Sequence, residues 1–146
     1  MKLKEQVANL MSKQPFQTLK SEQRRKESML ILDELNVPKN SEFYEFYSTY
    51  YGQNLNYRSG ASPIVDPSPP QNYLLHAAFV GHDAWEVPEQ YILFSTGEGE
   101  GGYLYNKDDG TVWDYYVGKQ ELLGTDALPH WNSFYEFMVW YLTDDE

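Results

Sequence analysis

Cysteine is absent from the 146 residues. A chain without it has no disulfide framework, no thiol nucleophile and no thiolate metal site. Long apolar runs are missing too: none approaches the ~20 residues that a membrane-spanning helix needs. The opening Met1-Lys2-Leu3-Lys4-Glu5-Gln6-Val7 carries charge with no apolar stretch behind it. No secretory signal is therefore expected, no membrane partner either, and the expected location is cytoplasmic. Positive charge is scarce beyond residue 39. Residues 40–146 hold three cations, Arg58, Lys107 and Lys119, against 17 Asp and Glu, whereas residues 1–39 hold 8 Lys and Arg against 5 acids. A body this acidic repels phosphate backbones, which argues against direct nucleic-acid binding. It would attract a basic protein and speed the encounter, or simply keep the chain soluble.

What is plentiful is aromatic: 13 Tyr, 7 Phe and 4 Trp. A disordered chain would be poor in these, and the length suits one domain, residues 1–146, with a real hydrophobic core. Leu3, Val7, Leu10 and Met11 predict a helix that Pro15 ends. A second helix is predicted over residues 21–35, with Met29, Leu32 and Leu35 inward and Arg24-Arg25-Lys26 outward as a solvated face. These helices fill residues 1–37, and residues 38–146 supply a further helix, the sheet and a closing helix.

That further helix follows Pro38, is capped by Asn40 or Ser41, and carries Phe43, Phe46, Tyr47 and Tyr50 on one stripe. Gly52 is expected to stop it. Residues 52–72 lack periodicity and read as a long surface loop. Strands are predicted over residues 73–80 and 91–96, with a turn at Gly81-His82-Asp83 between them. Residues 103–105 and 111–117 form a hairpin about Asp109-Gly110, a strong turn signal. At the end, Ser133 and Glu136 match a capping box, and Phe134, Phe137, Met138 and Tyr141 repeat at helical spacing. Helices, an antiparallel meander and a final helix make an α+β fold with helices on one face of the sheet.

Catalytic motifs fare poorly. Gly97-Glu98-Gly99-Glu100-Gly101-Gly102 contains the letters of a dinucleotide loop, but a strand follows where a helix N-terminus is needed, and two glutamates would repel phosphate. Asn106-Lys107-Asp108-Asp109-Gly110 does not place carboxylates at calcium-ligand positions. His76, His82 and His130 show no metal-binding spacing, and His76 reads as a packed residue on a strand. Ser95-Thr96 is not a nucleophile elbow. His82 with Asp83 is the remaining catalytic candidate, without a nucleophile beside it. The expectation is a protein with no catalytic residue, no metal and no cofactor. Trp85, Trp113 and Tyr116 are the aromatics that fit either core or an exposed binding surface.

The helix led by Val37-Pro38, the strand from Tyr91 to Ser95 into a glycine-bearing loop, the Asp109-Gly110 hairpin and the terminal Trp131-Asn132-Ser133-Phe134-Tyr135-Glu136-Phe137 helix occur in an order that resembles the SUKH superfamily. That group contains the fungal Smi/Knr cell-wall regulators and many bacterial immunity proteins. A departure is the Pro-rich loop over residues 60–70. The resemblance implies a non-enzymatic α+β domain that, in its bacterial branch, binds and neutralises a contact-dependent toxin, often a nuclease. The partner would be a basic toxin domain covered by an acidic surface, with the protein acting as a monomer. Charge and loop placement, not the family motif, make Glu98, Glu100, Asp108, Asp109, Asp83 and Glu86 the candidate contact residues. The alternative that the fungal members imply is a regulatory or scaffold module.

Overall fold

The computed structural model describes residues 2–96 and 100–143, so Glu98 lies outside the described residues. The helices are α1 (Leu3–Ser12), α2 (Glu22–Glu34), α3 (Glu42–Thr49), α4 (Tyr73–Phe79) and α5 (Phe134–Leu142). The strands are β1 (Tyr91–Leu93), β2 (Gly101–Asn106), β3 (Val112–Tyr116) and β4 (His130–Trp131). They form one antiparallel sheet in the order β1-β2-β3-β4, the meander expected of an α+β chain. β4 was not foreseen: Trp131, expected to open the terminal helix, pairs with Val112 instead, and the helix starts at Phe134.

Three helices begin in the same way. Ser21, Ser41 and Ser133 each accept a hydrogen bond on Oγ from the backbone N–H three residues on, at 3.2, 3.1 and 3.1 Å. Each bond satisfies one of the donors that a helix start leaves without an intrahelical partner. The caps set the rotation of α3 and α5, and so decide which stripe each turns inward.

Side chains alternate across a strand, so the register sorts the sheet into two faces. Ile92, Tyr103, Tyr105, Val112 and Trp131 share one face. α3 and α5 cover it: Phe43 stacks on Tyr105 at 4.3 Å and meets Phe134 edge-on at 5.1 Å, while Phe137 meets Tyr103 at 4.9 Å. Offset and edge-to-face contacts are the favourable aromatic geometries. α1 packs on α5 and α2 on α3, behind this layer.

The other face, with Leu93, Gly102, Leu104 and Tyr115, is covered as well, which corrects the expectation of helices on one side only. α4 runs directly into a π-helical turn, Val80–Ala84, and the two pack on β1. Gly81 of the turn sits against Leu93, and Trp85 after it lies 6.2 Å from Tyr115, ring to ring. Residues 73–80 are thus helix, not strand. Leu74, Ala77 and Ala78 are buried, and with Gly81 they repeat at i, i+3, i+4 and i+7, a helical stripe that the sheet selects. His76 therefore stands on a helix, exposed, rather than packed in a strand.

The loop over residues 52–72 does not stay on the surface. Residues 64–68 are buried, and what holds them there is an ion pair. Lys20 Nζ lies 3.1 Å from Asp66 Oδ2, with neither side chain exposed. Lys20 also donates to Ser28 Oγ (2.8 Å) and to the Tyr47 carbonyl. Asp66 accepts from the Gly52 N–H (2.6 Å) and the Ser68 N–H (2.8 Å). Burial pushes the Lys20 ammonium below its ordinary pKa, and Asp66 opposes that push. Gly52 is needed for close approach rather than as a helix stop: a Cβ there would lie 2.5 Å from a Tyr47 ring carbon. The helix itself ends because Tyr50 turns extended and bridges Leu19.

Candidate functional site

The five described acids expected to meet a partner, Asp83, Glu86, Glu100, Asp108 and Asp109, are exposed, but they do not form one patch. Asp108 and Asp109 lie in the turn between β2 and β3. The Asn106 side chain accepts the Asp108 N–H at 2.8 Å, and Asp109 Oδ1 accepts from the Thr111 N–H (3.0 Å) and hydroxyl (2.6 Å). Asp109 thus shapes the turn as well as carrying charge. Burial holds the neighbouring Tyr91 phenol above its ordinary pKa, with Asp109 and Asp108 pushing the same way.

Glu100 stands at the opposite end of β2, where its carbonyl accepts the Val117 N–H at 2.7 Å. Six strand residues separate it from the turn, roughly 17–20 Å at ~3.4 Å per residue. Beside it are the exposed Tyr116 and Val117, at 57% and 42% of their accessible surface. Glu86 belongs to the same end. It is exposed, with a left-handed backbone (φ 55°), and directly follows Trp85, whose carbonyl accepts from the Gln120 side chain at 3.0 Å. That bond brings the Gln120–Leu122 turn, and with it Glu121, to the same side. Asp83 is exposed on the π-helical turn. Two acidic groups result: Asp108 and Asp109 at the hairpin tip, and at the other end Glu100 beside Tyr116 and Val117, with Glu86 and Glu121 next to the Trp85–Gln120 bond.

Most cations lie elsewhere, although Lys119 is exposed in the second group, its N–H on the Tyr116 carbonyl at 3.1 Å. Lys4 pairs with Glu45 at 3.0 Å, Arg24 with Glu27 at 3.0 Å and Lys39 with Asp33 at 3.2 Å, all on α1 to α3 or the turns between them. Lys107 donates to the Leu35 carbonyl at 3.1 Å, next to the hairpin tip. Positive charge is concentrated on the N-terminal helices, and the sheet presents the negative side.

Of the three aromatics read as surface or core, Trp85 and Trp113 are core and Tyr116 is surface. Trp113 stacks on His130 at 4.4 Å and donates through Nε1 to the Thr111 hydroxyl. His82 Nε2 is hydrogen-bonded to the Tyr91 carbonyl, and no hydrogen bond joins it to Asp83 among the described residues. Gly101 and Gly102 lie within β2, where no helix N-terminus faces them. No group of three or more His, Asp and Glu able to hold a metal occurs among the described residues. No described helix is long and apolar enough to cross a membrane.

Two features had no sequence signal. Asp114, on the face of β3 that α3 and α5 cover, is half-buried, and burial pushes its carboxyl above the usual range. A groove runs beside α4, lined in part by Tyr57, Gln71 and Tyr73; the expectation of a strand at residues 73–80 concealed it.

A scan against protein-family models finds no match to this chain, and a search of curated proteins finds none either.

Proposed function

We propose that this protein is a non-enzymatic inhibitor of the SUKH immunity type, acting in the cytoplasm on a basic toxin domain, a nuclease first among them. Its mechanism is occlusion. Carboxylates take the places that substrate phosphates would occupy on the toxin, and long-range attraction raises the association rate. An apolar anchor then slows dissociation.

The observation that carries this reading is the pairing of Tyr116 and Val117, both exposed, with Glu100, Glu86 and Glu121 at one end of the sheet. Exposed aromatic residues ringed by charge are what interface centres are made of. Support also comes from the order α3, β1, hairpin, α5, which matches the elements through which the chain resembles that superfamily.

The test uses a basic nuclease toxin domain as the partner. Glu100→Lys with Glu86→Lys should slow association, Tyr116→Ala should speed dissociation, and Asp108→Lys should do less than either. Truncating a central contact typically costs ~2–5 kcal/mol and a rim contact far less. Unchanged kinetics in the first two variants would remove this end of the sheet from the interface.

A further inference from the structure

Two cavities, of about 490 and 510 Å³, meet at Val65, Tyr73 and Thr96 and form one groove between α4, residues 53–65 and the end of β1. Each is within the ~300–1,000 Å³ of small-molecule sites. The lining is distinctive in a chain of net charge −11. Among the described residues, no Asp, Glu, Lys or Arg lines either cavity. The polar lining is instead amide, hydroxyl and phenol, from Gln53, Asn54, Gln71, Thr96, Tyr57 and Tyr73, with the imidazole of His76 in the second cavity.

The two tyrosines are set as faces. Tyr73 is 50% exposed at the start of α4. Tyr57 stacks on Tyr141, with centroids 5.0 Å apart and planes 9° from parallel, and keeps part of its ring in solvent. The Tyr141 hydroxyl is tied to the Ser62 carbonyl (2.8 Å) and the Ile64 N–H (3.1 Å), so the stack rests on a fixed base. Asn54 (φ 59°) lines the groove and Asn72 (φ 51°) stands between the lining residues Gln71 and Tyr73, both in the left-handed region that asparagine tolerates. The Asn72 Oδ1 is buried without a hydrogen-bond partner, next to Gln71 and Tyr73 in the chain.

We propose that this groove binds an uncharged, hydroxyl-rich ligand, a short glycan, between the faces of Tyr73 and Tyr57 and the amides of Gln53, Asn54 and Gln71. An ionised ligand would lose its hydration without a counter-charge. A wholly apolar one would leave the amides unpaired. A sugar satisfies both demands: its C–H faces lie on aromatic rings, and its hydroxyls pair with amides that each donate and accept. An extended peptide fits less well, because a peptide docks by adding to a free strand edge. The edge of β1 is taken, with Val65 N–H on the Phe94 carbonyl (2.9 Å) and Thr96 N–H on the Pro63 carbonyl (3.0 Å). The lining holds no pair of carboxylates among the described residues, so the groove binds rather than cleaves. Its lining shares no residue with the acidic surface, and the proposal does not depend on the toxin reading.

The test is titration of the isotope-labelled protein with cellotetraose, maltotetraose, chitotetraose and mannotetraose, followed by NMR. At least one should shift the backbone amides of Asn54, Gln71, Tyr73 and Thr96 saturably, with Kd of about 0.1–1 mM. Tyr73→Ala and Gln71→Ala, at exposed positions, should each weaken that binding by about tenfold with unchanged circular dichroism, and Asp108→Lys should leave it alone. The proposal is overturned if no sugar moves these amides, or if Tyr73→Ala binds as wild type does. It is equally overturned if the uncharged peptide Gly-Ser-Asn-Gly saturates the groove and the sugars do not.

Discussion

Lys20 and Asp66 face each other at 3.1 Å with both side chains fully buried. Between them they gather the α1–α2 connection, Ser28 of α2, the end of α3 and the loop at residues 64–68. A buried pair is weak evidence of net stabilisation, but breaking one strands a charge, typically at a cost of ~3–5 kcal/mol. Lys20→Met should therefore destabilise strongly. Adding Asp66→Asn, which removes the stranded charge and keeps an acceptor, should recover part of the loss. Urea denaturation of the two variants checks this; a double variant no more stable than Lys20→Met would contradict it.

Asp114 should act in the opposite sense. Burial raises its carboxyl above its unfolded value of 3.8. The native state then holds the proton more tightly than the unfolded state does. Asp114 accordingly contributes stability below pH 3.8 that is lost as pH rises through its folded pKa, and at neutral pH the buried charge is a cost. Asp114→Asn should raise the melting temperature at neutral pH, with the gain shrinking as the pH is lowered. A constant gain at every pH would point to a cause other than ionisation.

Gly102 on β2 has no room for a side chain. A Cβ would sit 2.6 Å from Ser95 Oγ and 2.8 Å from Leu93 Cδ1, and Ser95 Oγ is held in place by accepting the Tyr103 N–H at 2.9 Å. Gly102→Ala should cost ~1–3 kcal/mol by overpacking. Thermal unfolding measures it, and a neutral result would mean the face beneath α4 is looser than described.

The sequence carried the elements whose own residues decide them. α1 and α2 announce themselves by their inward apolar residues, α3 and α5 by stripe and cap, and the hairpin by Asp109-Gly110, whose glycine sits at φ 80°. It missed what only contact decides. α4 has seven residues, and its apolar run fits a strand until a sheet face selects Leu74, Ala77 and Ala78. Residues 64–68 read as surface because nothing in the chain says that Lys20 lies beneath Asp66. Trp85, Trp113 and Tyr116 are equivalent as letters; register puts two in the core and one in solvent. The six candidate acids were chosen by charge and loop placement; the strand expected at residues 103–105 already parts Glu100 from Asp108, but nothing in the chain says that the Trp85–Gln120 bond brings Glu86 near Glu121.

The most direct test of the central claim is stopped-flow association of a basic nuclease toxin domain with wild-type protein and the Glu100→Lys/Glu86→Lys variant across a salt series. The account predicts a wild-type rate that falls about tenfold between roughly 0.05 and 0.5 M salt, and a slower, flatter dependence in the variant. Identical rates for the two proteins, insensitive to salt, would contradict it.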